Sequence, residues 1–152
     1  IYQNESIELP KRRMSTHIYG NSVLIDDYAH HPTEINALLE SLKIKYEGYK
    51  INCIFQSHTY SRTLKYKRAF KKVLKKFDNV YLLDVFSSAR EKEGDLMQKK
   101  VDRYFRKFKK YDDNVLEMIN ESKNEVWIFL GAGTCNELLE KFKKEHFYPM
   151  KM

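Results

Sequence analysis

The chain is short of several features that would settle its class at once. It has no run approaching the roughly 18 consecutive apolar residues of a membrane-spanning helix. Its N-terminus carries no charged, apolar, small-residue signal pattern, so we expect a soluble cytoplasmic protein without a membrane partner. Only two cysteines occur, Cys53 and Cys135. That is too few for a disulfide framework, and too few for a zinc site without histidines; beside apolar strand-like runs they read as buried free thiols. No G-x-S-x-G segment exists and neither cysteine adjoins a histidine, which disfavours nucleophilic catalysis. No G-x-x-x-x-G-K-S/T segment exists either, so the chain cannot grip a nucleoside triphosphate through a P-loop. There is no internal repeat and no low-complexity linker. The first residue, Ile1, is not a methionine, which suggests an excised fragment.

What is present fits one domain. The 152 residues are 42% hydrophobic and 14% aromatic, which excludes a disordered chain. The formal net charge is +7. Clusters such as Lys71, Lys72, Lys75, Lys76 and Arg106, Lys107, Lys109, Lys110 would suit nucleic acid or anionic small molecules. They alternate with Phe70, Val73, Leu74, Phe77 and with Tyr104, Phe105, Phe108 at helical spacing. That is the pattern of a solvated face opposite a core face, and it argues against a nucleic-acid partner.

Strand and helix signals alternate along the chain. Ser15 to Tyr19 and Ser22 to Ile25 flank Gly20-Asn21 as a hairpin. A helix follows from Thr33 to about Tyr46, with Pro32 at its opening. Ile51 to Phe55 is a strand, and a long helix is expected from about Ser61 to Phe77. Val80 to Val85 is the next strand, and helices are expected over Met97 to Phe108 and Asn114 to Asn120. Val126 to Leu130 is the last strand, before a helix from about Asn136 to His146. Strands separated by helices of about a dozen residues imply βαβ crossovers. The fold class is therefore α/β: a Rossmann-like, mostly parallel sheet with helices on both faces and an N-terminal β-hairpin.

In such a sheet the residues just past the carboxyl ends of the strands line the ligand crevice. That rim carries Asp27, His30 and His31, then His58 and Arg62, then Asp84 and Arg90, then Gly131-Ala132-Gly133 at a helix start. Guanidinium and imidazole groups beside backbone N-H groups suit a carboxylate or phosphate, and a carboxylate such as Asp27 suits a ribose hydroxyl or magnesium-bound water. Each residue also has a plainer use. His30 or His31 could cap a helix, Arg62 could pair along a helix face, and Asp84 could form a strand-end turn. Asp26, Asp27, His30 and His31 resemble a metal-ligand cluster, but a two-metal site needs more carboxylates and histidines than His58 and Asp84 supply. We expect no metal site in this chain.

The segments Asp26-Asp27-Tyr28-Ala29-His30-His31-Pro32-Thr33-Glu34, Phe55-Gln56-Ser57-His58-Thr59-Tyr60-Ser61-Arg62-Thr63 and Gly131-Ala132-Gly133, in this order and spacing, resemble the C-terminal domain of the Mur ligases. These are amide ligases of peptidoglycan synthesis, and the nearest branch joins L-alanine to UDP-N-acetylmuramate. Lys11-Arg12-Arg13 and Ser88-Ala89-Arg90-Glu91-Lys92 are also similar to that family. The resemblance implies a three-domain enzyme whose N-terminal and central P-loop domains lie outside this chain, with ATP and Mg2+ as cofactors. It implies an acyl phosphate attacked by the amine of L-alanine, in the service of cell wall synthesis and so of cell shape and division. By motif position, Arg13 and Asp27 would reach ATP, while His31, His58 and Arg62 would lie towards the amino acid and the acyl phosphate. His30 and Arg90 complete the implied substrate-binding set. Ser57 and Thr59 stand where many members have proline and arginine, and Thr134 replaces a commoner acidic residue. A muropeptide-recycling ligase of the same family is the neighbouring alternative, against which the Gln56 to Thr63 segment argues. A basic nucleic-acid-binding module is the alternative from another class, against which the core positions of the aromatics argue.

Overall fold

The computed structural model describes residues 15–87, 94–131 and 133–147. The chain enters as the hairpin β1 (Ser15–Tyr19) and β2 (Ser22–Asp27), turning at Gly20 with φ +60°. Helix α1 (Pro32–Lys45) leads to β3 (Lys50–Gln56). Two short helices, α2 (Tyr60–Lys65) and α3 (Lys67–Leu74), precede β4 (Asn79–Leu82). Then come α4 (Gly94–Tyr104), β5 (Lys109–Lys110), α5 (Asn114–Glu121), β6 (Glu125–Gly131) and α6 (Cys135–His146).

The sheet order is β1-β2-β6-β3-β4-β5, with β1 antiparallel to β2 and every other pairing parallel. Alternation along the strands divides two cores. Ile25, Cys53, Phe55 and Ile128 face α1 to α4, and Leu24, Ile54, Trp127 and Phe129 face α5 and α6. Helix α1 shows the logic locally. Ile35, Leu38, Leu39 and Leu42 recur at three- and four-residue steps on one face, and all are buried. Each is worth roughly 1.5–3 kcal/mol against full exposure. The expected α/β class, parallel sheet and two-sided helical cover are all present. Both cysteines are buried and neither forms a disulfide; the Cys135 thiol donates to Ile54 O at 3.4 Å, and burial pushes the Cys53 thiol up from its ordinary pKa.

Three element boundaries differ from expectation. The long helix over 61–77 is broken at Tyr66, whose φ −106°, ψ 22° leaves the helical region. The break still carries bonds, since Tyr66 N donates to Arg62 O and Phe70 N to Tyr66 O. Strand β4 ends at Leu82; past it Leu83 N still donates to Phe55 O at 3.0 Å, and Val85 N then turns to the Gln98 side chain at 2.9 Å. Helix α4 spans 94–104 rather than 97–108, and Phe105 to Phe108 form a turn that delivers the chain to β5.

Candidate functional site

The carboxyl ends of β2, β6, β3 and β4 lie side by side because those strands are parallel and in register: Asp27 opposite Leu130, Phe55 opposite Leu130 and Leu82. The segments that follow them therefore share one rim.

After β2, Asp27 is 4% exposed and its Oδ1 accepts from Ala29 N at 2.8 Å. This bond turns the chain out of the strand. Asp26 Oδ2 accepts from Asn136 at 2.6 Å, which ties the loop to the first turn of α6. His30 packs its ring near Tyr28 and sits 3.2 Å from the Tyr28 carbonyl through Nδ1. His31 is the N-cap of α1: its Nδ1 accepts from Thr33 N, while Glu34 reaches back to the His31 backbone N-H. The helix-capping use foreseen for one of the two histidines is thus the one His31 makes. Its ring also lies 5.3 Å from that of Tyr66, which brings it alongside the end of α2.

After β3, the chain is fixed by its hydroxyls. Ser57 Oγ bonds Thr63 Oγ1, and Thr63 Oγ1 donates to Thr59 O at 2.6 Å. Thr59 has φ +62°, rare for a β-branched residue, and caps α2 by accepting from Arg62 N. Ser57 and Thr59 thus hold this turn together. Arg62 is exposed, and among the described residues it makes no ion pair. His58 forms a single parallel bridge with Phe86, and the two rings stack at 5.6 Å and 19°. Phe86 lies against Gly133: a Cβ there would stand 2.6 Å from the Phe86 ring and 2.7 Å from Gln56 Oε1. The rim segments after β3, β4 and β6 are therefore packed together through His58, Phe86 and Gly133.

Gln56 is a site residue that the sequence hides. It is 6% exposed. Its Oε1 accepts from Thr134 N at 2.7 Å and from Thr134 Oγ1 at 3.1 Å, and its Nε2 donates to Asp84 O at 3.0 Å. One amide so clamps the glycine turn to the loop after β4, using a donor and an acceptor at once. The available signal was a lone amide ending an apolar strand, where an unpaired polar group would be costly. Thr134 is the clamp's partner. Asp84 itself points elsewhere, to Lys110 at 2.6 Å. Lys110 also bonds Asp102, and the two carboxylates raise its pKa against the opposing effect of burial, which is the largest single influence.

Arg13, Arg90 and Ala132 lie outside the described residues. Among the described residues no three His, Cys, Asp or Glu side chains come together as a metal cage, and Asp26 is engaged by Asn136 instead. The donor set of the described residues does not fit a magnesium ion held by them alone. No helix among them is long and apolar enough to cross a membrane.

Strand order and parallel register define an α/β domain with a mostly parallel sheet whose strand ends share one rim. The family model described as Mur ligase, glutamate ligase domain, matches residues 12–133, and the chain belongs to that family. Three solved structures share its fold. A domain provisionally assigned to a UDP-N-acetylmuramate:L-alanyl-gamma-D-glutamyl-meso-diaminopimelate ligase of Haemophilus ducreyi matches with TM-score 0.59 and 19% identity, over 87% of this chain and 98% of that one. UDP-N-acetylmuramate-alanine ligase of Thermotoga maritima matches with TM-score 0.57 and 28% identity, over 88% of this chain. A murein peptide ligase of Psychrobacter arcticus matches with TM-score 0.60 and 14% identity, over 93% of this chain. The chain spans 30% and 31% of the last two.

Proposed function

We propose that this domain forms the amino-acid side of the active site in an ATP-dependent ligase that joins L-alanine to UDP-N-acetylmuramate in the cytoplasm. The observation that carries the reading is the exposed Arg62, which makes no ion pair among the described residues, on the rim that also holds His58. A guanidinium left open at a rim is a ready carboxylate or phosphate receptor, because its planar fork matches either anion with two hydrogen bonds.

In this reading the muramoyl carboxylate first takes the terminal phosphoryl group of ATP, giving an acyl phosphate and ADP. The alanine nitrogen then bonds the acyl carbon, the carbon–oxygen bond to phosphate breaks, and inorganic phosphate leaves as the nitrogen loses a proton. Arg62 holds the alanine carboxylate, His31 and His58 face the acyl phosphate, and His30 and Arg90 line the substrate side. Arg13 and Asp27 face the nucleotide. The P-loop and the sugar-nucleotide site come from the N-terminal and central domains of the same enzyme, and Mg2+ supplies charge neutralisation at the phosphates.

Amino-acid-dependent phosphate release by the complete ligase, with UDP-N-acetylmuramate, ATP and magnesium, tests this. Arg62→Ala is expected to raise the KM for L-alanine at least tenfold. The 152-residue chain by itself is expected to release none. Stimulation by the free peptide L-alanyl-gamma-D-glutamyl-meso-diaminopimelate in place of L-alanine would move the assignment to the recycling ligases. An unchanged KM in the Arg62 variant would remove that residue from the site.

A further inference from the structure

The basic residues read singly as solvated helix faces converge in space. Lys67 and Lys71 of α3, Lys100 and Arg103 of α4, and Arg106 and Lys107 of the following turn line one groove of about 730 Å3. Leu64 and Tyr104 complete its lining. The groove lies where α3 meets the last turns of α4, and none of its lining residues is among those that build the strand-end rim. Phe70, Val73, Leu74 and Phe105 do face the core, as the pattern requires. What the pattern cannot show is that two such polar faces from separate helices meet.

Three features make this more than a charged surface. Among the described residues none of the six cations reaches a carboxylate. The nearest acid on α4, Asp102, is taken by Lys110 and Gln98. Lys67 and Lys71 are half-buried, with their ammonium groups 4.9 Å and 4.8 Å from the centroid of the same Tyr104 ring. Like charges four residues apart on a helix repel, and a shared aromatic ring offsets that by about 0.5–1 kcal/mol per cation at an exposed site. The ring therefore holds two positive charges beside the groove. Finally, a concave wall of one sign focuses its field and concentrates counter-ions, and the volume falls in the usual range for a small-molecule site, about 300–1,000 Å3.

We infer that this groove binds a compact oligophosphate anion, at a site separate from the ligase rim. Arg103 and Arg106 supply planar forks for phosphoryl oxygens, and Lys67, Lys71, Lys100 and Lys107 supply point charges. A nucleic-acid strand fits less well. Single strands are held by bases stacked on open aromatic faces, whereas the ring here is already engaged by two ammonium groups.

Isothermal titration of the chain with inorganic tripolyphosphate tests the inference. Both hydrophobic cores close within the described residues, and the Haemophilus ducreyi domain of matching extent stands alone as a solved structure. One saturable site is expected, with affinity lowered at least tenfold by Lys71→Gln combined with Arg103→Gln. Lys123→Gln combined with Lys144→Gln removes the same charge away from the groove and is expected to change affinity less than twofold. Circular dichroism melts of both double variants establish that they fold. Equal losses in the two variants, or binding that never saturates, would reduce the groove to general surface charge. Tighter binding of a single-stranded oligonucleotide than of tripolyphosphate would overturn the oligophosphate assignment in favour of nucleic acid. Because the readout is binding without turnover, its failure leaves the ligase assignment standing.

Discussion

At the scale of single residues, the rim depends on positions with no freedom to change. Gly131 has φ +114°, and a Cβ on it would overlap the Gln56 carbonyl oxygen. Neither the backbone nor that oxygen can give way, because Gln56 pairs with Gly131 in the β3–β6 ladder. Gly131→Ala is expected to destabilise the domain by about 3 kcal/mol or more, combining backbone strain with a main-chain clash. Urea unfolding would read this as a fall in midpoint at unchanged slope. The glycine's place in the Gly-Ala-Gly segment was legible in the sequence. Its reason was not, because the clash comes from a residue 75 positions away in the chain.

Among elements, α1 separates a structural role from a chemical one. His31 caps the helix through Nδ1 and its backbone, a task that an asparagine side chain can also perform. His31→Ala is expected to cost about 1 kcal/mol of stability. His31→Asn is expected to stay within about 0.5 kcal/mol of wild type, while lowering turnover of the complete ligase if the imidazole faces the acyl phosphate. Paired denaturation and phosphate-release measurements distinguish the two roles. A loss of stability in both variants with full activity in His31→Asn would leave the histidine as a cap alone. The same scale shows where sequence patterning succeeds and where it stops. Strands such as β3 and β6 were legible because each is a buried run bounded by polar residues. The break at Tyr66 was not, since the apolar period of 64, 70, 73, 74 and 77 passes over it without a Gly or Pro. Strand β5 was not resolvable either: two lysines carry no hydrophobic signal, and only pairing with Tyr81 and Leu82 makes them a strand.

For the whole molecule, pH dependence follows from groups that must shed protons to fold. Burial of His17 on β1, aided by the nearby Lys143 ammonium, lowers its pKa below 6.5, against the smaller opposing influence of Glu140 and Asp26. The unfolded chain then binds more protons than the folded one between the lowered value and 6.5, so stability is complete above pH 6.5 and declines as the pH falls below it. Urea midpoints measured at pH 7.5 and 5.5 are expected to fall on acidification, and to fall less in His17→Gln. An equal fall in that variant would assign the acid sensitivity to other groups.

The two-residue strand β5 also governs what this domain does in company. A parallel sheet left open at one side offers a row of unpaired N-H and C=O groups to any passing extended chain. Here that margin is two residues long and both are lysines, one anchored by Asp84 and Asp102. A second chain docking there would gain too few ladder bonds to offset the cost of ordering it. On this side the sheet thus ends in a border too short for a second copy of the domain to extend it.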